Sequence, residues 1–437
     1  MTLEDYLRRN AELYPQKTAI ICGSRTLTYG ELWRQILDTA LTLPKGETVV
    51  FRATQDIDFV LKYFALHING SVAVPVEKDI SQDNFASIVE YLKDCKMQPG
   101  IADILFTTGT TGRKKGVMIS HGTIVADGEN LIAGQGFAHD TSFIITGPLN
   151  HIGSLSKIYP IIIKGATLII TEGMKNVNDF FEALDLPYQK YATFLVPSAI
   201  RILLQFSGER LRKYAHKIDF IETGAAAISL SDMKQLCEIL PYSRLYNTYA
   251  STETGIISTY NFNDGQCIEG CLGRPMPHSK IIITADGLIS CQGGTIMSGY
   301  AGNDELTAKI LRDSTIYTSD YGRIDENGML RLSGRADDII NTGGFKVSPT
   351  EVESVALSMP QVADCICIGA PHPVLGTALK LIYTAKSDVT KKEIALYMKS
   401  KLENFKVPFY YEQAEKIQRT FNGKIDRKYY YNQQSPA

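Results

Sequence analysis

The chain has 437 residues, of which 44% are hydrophobic, enough to bury more than one core. Its 45 Lys and Arg residues nearly balance its 47 Asp and Glu residues, which leaves a net charge of -2. This balance excludes the broad basic surface by which proteins bind nucleic acid or anionic membranes. We therefore expect a large domain and a smaller one, with any ligand held in a local site.

The N-terminal segment and the apolar runs predict a cytoplasmic protein without a membrane span. The first residues, MTLEDYLRRN, lack the apolar stretch of a signal peptide. The longest apolar run, 159–170, is interrupted by Lys164 and Gly165 and is too short to cross a bilayer. The 8 cysteines form no CxxC pair, so we expect core or free thiols rather than disulfides or a cysteine metal site.

In chain order, β-branched runs alternate with amphipathic helical segments as far as residue 262. Strands are predicted at AIIC, TVVFRA, FIITG, ATLIIT, ATFLVP and KIDFIETG, and helices at 178–186 and 229–240. This alternation indicates an α/β fold of largely parallel sheets flanked by helices. Short glycine-rich strands then predict a β-subdomain with a turn at DENG, 325–328. From Ser348, a helix, two strands and a helix predict a compact α+β C-terminal domain.

The segment FTTGTTGRKKGVMISH, 106–121, predicts a strand, a Gly/Thr loop and a second strand. Glycines let backbone N–H groups converge on an anion, while threonine hydroxyls and Lys115 add donors and charge, so the loop could hold phosphates. An ordinary Gly/Thr turn with solvated lysines fits these residues equally well. A Walker A loop is excluded, because no Lys-Ser or Lys-Thr pair follows the glycines.

Six blocks resemble, in order, the motifs of the adenylate-forming enzymes, which include acyl-CoA and aryl-CoA synthetases, luciferases and peptide-synthetase adenylation domains. The blocks are FTTGTTGRKKGV, NTYASTETG, GLISCQGGTIMSGY, YTSDYGRID, GRADDIINTGGFKVSPTEVE and NGKIDR. The resemblance implies a large N-terminal domain of layered sheets with a β-subdomain, 1–336. It also implies a small mobile α+β C-terminal domain, 337–437.

The same resemblance implies that a carboxylate attacks the α-phosphorus of ATP to give acyl-AMP and pyrophosphate, and that a thiol then takes the acyl group. Lys424 would be the adenylation lysine, bridging the carboxylate and the α-phosphate. Thr252 would contact the α-phosphate, and Glu253 with Thr108 would hold Mg²⁺. Outside these motifs, Lys424 would be a solvated lysine, and Thr252 with Glu253 would be a helix cap.

The remaining nucleotide contacts follow from the same motifs. Asp320 would accept the ribose hydroxyls, Arg335 would add a donor, and Tyr249 would lie beside adenine. Without the resemblance, Asp320 would be a turn residue and Arg335 half of a surface ion pair. The other residues assigned to phosphates, adenine or the thiol are Thr107, Thr108, Gly109, Thr110, Thr111, Gly112, Lys115, Gly224, Ala225, Ala226, Asn247, Gly343 and Gly344.

Three further positions carry expectations about mechanism and substrate. Asp337 matches the hinge about which the C-terminal domain would rotate between the half-reactions. His151, in PLNHIGSL, is expected to act at the acid site and stands where amino-acid-activating domains carry Asp, which argues against an amino-acid substrate. Taken alone, His151 would be a structural histidine. Asn150 stands where an aromatic residue is usual and suggests a differently shaped acyl pocket.

Three functions are compatible with this pattern. The first is a ligase that uses ATP, Mg²⁺ and CoA to convert a small carboxylic acid into acyl-CoA. The second passes the acyl group to the phosphopantetheine of an acyl carrier protein instead. The third is a nucleotide-binding protein without turnover, which the intact acid and base positions of the six blocks disfavour. The chain is short before the phosphate loop, so the resemblance leaves the acyl pocket and the CoA surface undefined.

Overall fold

Two of the N-terminal helices begin at threonines that cap them. The side chains of Thr2 and Thr28 each accept a hydrogen bond from the backbone N–H three residues later. The acidic side chain of that later residue accepts a hydrogen bond from the threonine's own N–H. The computed structural model describes residues 1–108, 114–174, 176–264, 266–420 and 425–432. Its helices are α1 Leu3–Leu13, α2 Tyr29–Ala40, α3 Ile57–Ile68, α4 Gln82–Lys93, α5 His121–Gln135, α6 Ile152–Leu155, α7 Ile158–Lys164, α8 Val177–Asp185, α9 Pro197–Lys213, α10 Leu230–Ile239, α11 Asp304–Ile310, α12 Pro349–Leu357, α13 Lys391–Lys399 and α14 Arg427–Asn432.

The strands fall into two large layered sheets and two smaller ones. They are β1 Thr18–Cys22, β2 Arg25–Thr28, β3 Thr48–Arg52, β4 Val72–Val76, β5 Ile101–Thr108, β6 Lys114–Ser120, β7 Ser142–Ile145, β8 Thr167–Ile170, β9 Tyr191–Phe194, β10 Ile218–Gly224, β11 Arg244–Ser251, β12 Gly255–Asn261, β13 Cys271–Pro275, β14 Ser279–Ile283, β15 Leu288–Gly293, β16 Gly299–Tyr300, β17 Leu311–Arg312, β18 Thr315–Ile324, β19 Leu330–Arg335, β20 Ile340–Thr342, β21 Phe345–Val347, β22 Val362–His372, β23 Gly376–Ala385 and β24 Tyr410–Gln413.

The largest sheet has a parallel centre and antiparallel extensions. Strands β1, β8, β7, β9, β10 and β11 run parallel in that spatial order. Antiparallel strands β12, β13, β19, β18, β15 and β14 extend it on one side, and those after residue 262 form the predicted β-subdomain. Every residue of β7 and β8 is buried, as expected for parallel strands covered on both faces. The carboxyl ends of β9, β10 and β11 therefore meet at one edge, where ligands bind in open α/β sheets.

The second sheet carries the predicted strand–loop–strand segment. Strands β3, β4 and β5 are parallel, β5 and β6 form an antiparallel hairpin, and β16 pairs with β6. Leu105 and Val117 of this hairpin pack in one core with Phe143 and Leu168 of the first sheet. Helices α8, α9 and α10 cover a second core on the other face of that sheet. The predicted layered α/β fold is thus confirmed.

The C-terminal part is a separate small α+β unit. Strands β22 and β23 are antiparallel, β24 runs parallel to β23, and α12 and α13 cover one face of these strands. A 3₁₀ turn, Ala336–Asp338, precedes this unit. The predicted domain boundary at 336 falls in that turn and stays a prediction. Within the described ranges, no helix has the length and apolar character needed to cross a membrane.

Candidate active site

Tyr249, Asp320 and Arg335, here called the Asp320 group, meet beside the end of β11. Asp320 on β18 and Arg335 on β19 are opposite residues of an antiparallel pair. Arg335 Nε lies 3.2 Å from Asp320 Oδ1. The Tyr249 hydroxyl donates a 2.7 Å hydrogen bond to Asp320 Oδ2, across 71 residues of chain. The fold thus brings together three residues that were assigned to one nucleotide.

The Tyr249–Asp320 contact has a fixed polarity. Tyr249 is buried, and this burial, together with the Asp320 charge, raises the pKa of its phenol far above the ordinary value. The hydroxyl is therefore a donor, and it fixes the Asp320 carboxylate in one orientation. Arg335 is half of an ion pair, as the alternative interpretation stated, but its side chain is 52% exposed and can also reach a ligand.

The Glu253 group, defined here as Glu253, Tyr300 and Lys115, joins the end of β11 to the second sheet. The Tyr300 hydroxyl donates a 2.9 Å hydrogen bond to Glu253 Oε1. Lys115 Nζ lies 5.8 Å from the centre of the Tyr300 ring. Burial and the Glu253 charge raise the pKa of Tyr300, which keeps its hydroxyl a donor. Tyr300 was given no role from the sequence, although it ends the GLISCQGGTIMSGY block.

Thr252 and Glu253 lie in a tight turn between β11 and β12, so the helix-cap alternative is wrong. The Ser251 and Thr254 side chains lock this turn, because each accepts the other residue's backbone N–H, at 3.0 and 3.1 Å. Gly255 follows with a φ of 67°, and a Cβ there would lie 2.4 Å from a backbone oxygen. The turn therefore holds both side chains in fixed positions at the strand end.

The predicted small-residue wall follows β10. A Cβ on Gly224 would lie 2.9 Å from the Thr248 carbonyl oxygen, so only glycine permits this close approach to β11. Ala225 has a φ of 66°, a left-handed conformation that costs a residue with a Cβ about 1–2 kcal/mol. Ala225 and Ala226 are both exposed. Backbone strain of this kind at a strand end is typical of binding sites. Contact between this small-residue wall and adenine stays a prediction.

Four other predicted residues have defined places in the fold, and the one for Asn247 was not indicated by the sequence. Asn247 is buried, and its amide donates a 3.0 Å hydrogen bond to the Cys271 carbonyl, which ties β11 to β13. His151 is the N-cap residue of α6. Gly343 and Gly344 form the two-residue turn between β20 and β21, with φ values of 54° and 87°.

Several predicted contacts concern the phosphate loop and the C-terminal lysine motif. Thr107 lies on β5 opposite Lys115 of β6, so the two residues are neighbours at one end of the hairpin. The side chains of Thr108 and Asp337 lie outside the described residues. So do the remaining predicted residues of these segments, which are Gly109, Thr110, Thr111, Gly112 and Lys424.

A buried ion pair beneath the His151 turn was not predicted. Lys157 Nζ lies 2.9 Å and 2.8 Å from the two carboxylate oxygens of Glu222, and both side chains are 1% exposed. Lys157 Nζ also lies 5.2 Å from the centre of the Phe194 ring. A Cβ on Gly153 would touch that ring at 3.2 Å. The only feature of the sequence that could have indicated this ion pair is that Lys157 and Glu222 each stand alone within an apolar run.

The Asp320 group and the Glu253 group both contact the carboxyl end of β11, and ligands bind at such strand ends in open α/β sheets. The family profile described as AMP-binding enzyme matches residues 93–300, and the profile of the AMP-binding enzyme C-terminal domain matches residues 351–424. Together they match more than half of the chain. The chain belongs to the AMP-binding enzymes, and it is an AMP-forming acid–thiol ligase.

Relatives and solved structures match the chain over its length. A 2-succinylbenzoate–CoA ligase of Bacillus cereus is 23% identical, over 98% of this chain and 98% of that protein. ATP-bound MatB from Rhodopseudomonas palustris has a TM-score of 0.87 at 21% identity, over 99% of both chains. The o-succinylbenzoate CoA synthetase MenE from Bacillus subtilis, in complex with OSB-AMP, has a TM-score of 0.83 at 22% identity, over 99% of this chain and 98% of that one. These likenesses confirm the predicted fold.

Proposed function

We propose that this chain activates a small carboxylic acid with ATP and transfers the acyl group to CoA, giving acyl-CoA, AMP and pyrophosphate. The observation that carries this proposal is the position of the Asp320 group and the Glu253 group at one strand end, that of β11. The first suits a ribose and the second suits phosphates. Similarity to a 2-succinylbenzoate–CoA ligase supports CoA as the acceptor.

In this proposal the Asp320 group binds the ribose of ATP. The Asp320 carboxylate, oriented by the Tyr249 hydroxyl, offers acceptor oxygens to the two ribose hydroxyls. Arg335 turns part of its guanidinium from Asp320 to the same ribose. The exposed Ala225 and Ala226 admit the flat face of adenine beside Tyr249.

The Glu253 group would serve the triphosphate. Glu253 fits Mg²⁺, because this ion prefers oxygen ligands and the Tyr300 hydroxyl already orients the carboxylate. Bound Mg²⁺, held by Glu253 with Thr108, would neutralise negative charge on the phosphates. Lys115 would stay with the departing pyrophosphate, since β6 holds it beside Tyr300.

Each half-reaction exchanges one bond for another. First, a carboxylate oxygen bonds to the α-phosphorus while the bond to the pyrophosphate oxygen breaks, and Lys424 neutralises the charge that develops. Second, the thiol releases its proton to water, its sulfur bonds to the acyl carbon, and the bond from that carbon to the AMP oxygen breaks, so that AMP leaves as the phosphate anion. We assign the change between these steps to rotation of the C-terminal domain, 337–437, about Asp337, which brings Gly343 and Gly344 to the thiol.

We assign the acid site to the region between His151 and the end of β10. The Phe194 ring occupies this region, since a Cβ on Gly153 or on Gly224 would meet it at 3.2 or 3.7 Å. Beneath the ring, Lys157 and Glu222 neutralise each other. We propose that the ring and the ion pair limit the depth of the acid site, which would favour a small acid over a long acyl chain.

A phosphopantetheine carrier protein is the alternative acceptor, because it presents the same thiol on the same flexible arm. We further propose that the enzyme works in the cytoplasm, since its eight cysteines are free thiols. Neither assignment alters the chemistry of the adenylation step.

The test is ATP–pyrophosphate exchange over a panel of small and long-chain carboxylic acids, followed by thioester formation with CoA and with carrier proteins. We expect exchange with a small acid and thioester formation with CoA. Exchange with no acid would favour the binding protein without turnover. Preferred transfer to a carrier protein would replace CoA by the alternative acceptor.

Lys424→Ala tests the assignment of the adenylation lysine. It should abolish exchange and largely spare thiolysis of supplied acyl-AMP. Lys416→Ala, which changes an exposed lysine of the same segment, is the matched control and should leave both half-reactions unchanged. Equal loss of both half-reactions in Lys424→Ala would contradict its assigned role.

A further inference from the structure

A cluster of metal-binding side chains lies where α1, α3 and α5 meet, outside the Asp320 and Glu253 groups. Glu4 comes from α1, His67 from α3 and His121 from the first position of α5. One ligand atom from each lies within 4.8 Å of the other two. The three side chains therefore converge on one point although their positions in the sequence are far apart.

The Glu4 carboxylate lies close to a ring nitrogen of each histidine. Glu4 Oε1 lies 2.8 Å from His67 Nδ1, and Glu4 Oε2 lies 3.6 Å from His121 Nδ1. The bonds of 2.0–2.1 Å around tetrahedral zinc separate its ligand atoms by about 3.3 Å, so the three ligand atoms, which lie within 4.8 Å of one another, would move to this spacing when the ion binds. His121 Nδ1 is buried and lacks a hydrogen-bond partner among the described residues. A buried ring nitrogen in this state is a ready metal ligand.

The Asp103 side of His67 has the arrangement that is found at metal-bound histidines. His67 Nε2 lies 2.9 Å from Asp103 Oδ1, and the Tyr63 hydroxyl donates a 2.8 Å hydrogen bond to Asp103 Oδ2. Histidines that bind a metal commonly donate their other N–H to a carboxylate, which fixes the tautomer and the ring. Here Asp103 would leave Nδ1 of His67 facing Glu4 and the metal.

The charge of the cluster and its opening both favour zinc. A divalent ion would balance the two carboxylates of Glu4 and Asp103, which lie against the two ring nitrogens of His67. A cavity of about 330 Å³, lined in part by Thr2 and Trp33, adjoins the cluster and offers room for a water ligand. Mg²⁺ and Ca²⁺ prefer all-oxygen sites, whereas zinc accepts two imidazoles, a carboxylate and water.

We propose that Glu4, His67 and His121 bind one Zn²⁺, with Asp103 orienting His67 and a water molecule as the fourth ligand. Asp103 lies on β5 and His121 directly follows β6. The ion would therefore tie α1 and α3 to the base of the β5–β6 hairpin. Its role is structural, and it adds to the stability of the fold rather than to the reaction.

The experiment uses the full chain, purified through a cleavable C-terminal tag and stripped with a chelator. Zn²⁺ is titrated against a chromogenic chelator, and Co²⁺ is followed through its visible absorption as a tetrahedral probe. We expect one equivalent of either ion and a melting temperature that Zn²⁺ raises. Asp103→Asn should weaken Zn²⁺ binding about 10–100-fold, because it removes the carboxylate behind His67.

His121→Ala is the decisive variant, because it removes one ligand and leaves the Glu4–His67–Asp103 contacts in place. It should lose the stoichiometric ion, the cobalt absorption and the stabilisation by Zn²⁺. His216→Ala, which removes an exposed histidine, should keep all three. A wild-type chain without the cobalt absorption, or an ion that His121→Ala still binds, overturns the proposal. The wild-type spectrum decides the question even if His121→Ala fails to fold.

Discussion

Arg201 Nη1 on α9 lies 2.9 Å from Asp364 Oδ1 on β22, and this ion pair joins the large part of the fold to the C-terminal part. Arg201 also binds Asp232 of α10, at 3.0 Å. The Arg201, Asp232 and Asp364 side chains are 14%, 10% and 19% exposed, so the charges are largely shielded from water. Arg419 binds Asp364 from the C-terminal side. Asp364 therefore takes part in contacts on both sides of the junction.

We predict that Asp364→Asn loosens the junction between the two parts. Truncating one partner of a desolvated charge pair at an interface costs about 2–5 kcal/mol, which should favour conformations in which the parts are separate. Limited proteolysis of the segment after residue 336 should become faster. Asp232→Asn is the matched control, since it removes the same charge and leaves the Arg201–Asp364 contact. Equal cleavage of both variants would contradict the prediction.

We predict that Tyr249→Phe raises the KM for ATP in the exchange assay about tenfold. A hydrogen bond to a charged group contributes about 1.5–3 kcal/mol, and its loss frees the Asp320 carboxylate to leave the ribose-binding orientation. Asp320→Ala should raise the same KM further. Tyr260→Phe on the neighbouring β12 is the control, because its hydroxyl bonds to the Gln266 carbonyl. An unchanged KM in Tyr249→Phe would contradict ribose binding by Asp320.

We predict that a variant with only one residue of the Lys157–Glu222 pair replaced is less stable than the variant with both residues replaced. Lys157→Met or Glu222→Leu leaves one unpaired buried charge, at a cost of about 3–5 kcal/mol, whereas the double variant has an apolar pair of similar volume. Urea unfolding measures all three free energies. Losses that simply add in the double variant would show that the two charges do not compensate each other.

We predict that Asp127 makes the stability of the fold depend on pH. Burial raises the pKa of Asp127 to about 7, although the Ile256 N–H and the Lys157 charge oppose this shift. Below the ordinary value of 3.8 the group is neutral in both states, and between 3.8 and 7 only the unfolded chain ionises it. The free energy of unfolding therefore falls as the pH rises from 3.8 to about 7, by about 1.4 kcal/mol for each pH unit.

The comparison variant for this prediction is Asp127→Asn, which keeps an oxygen for the Ile256 N–H and cannot ionise. Urea unfolding of both proteins between pH 5 and pH 8 should show the Asn variant gaining relative to wild type up to pH 7 and levelling off above it. Parallel profiles over this range would mean that Asp127 does not titrate as stated.

Much of the fold and of the site could be predicted because the signals are local in the sequence. Continuous apolar runs gave the parallel strands, since a strand buried on both faces needs apolar side chains throughout. The Gly/Thr segment was correctly predicted to lie between two strands, now β5 and β6. Family motifs brought Tyr249, Asp320 and Arg335 into one site before their contacts were known.

What the sequence alone could not predict is pairing between distant buried charges. Nothing near Lys157 in the chain indicates Glu222, and nothing near Glu4 indicates His67 or His121, because such partners are chosen by how helices and strands pack. The helix-cap alternative for Glu253 failed for a related reason, since the neighbouring strand β12 makes that segment a turn.

By itself the sequence determined the α/β class, the order of the motifs and the chemistry that each can perform, because these depend on local periodicity and side-chain type. Tertiary structure alone decided which groups face each other: Tyr249 with Asp320, Tyr300 with Glu253, and Arg201 with Asp364. Contacts of this kind join residues far apart in the chain. Their geometry exists only once the sheets and helices have packed and water has been excluded.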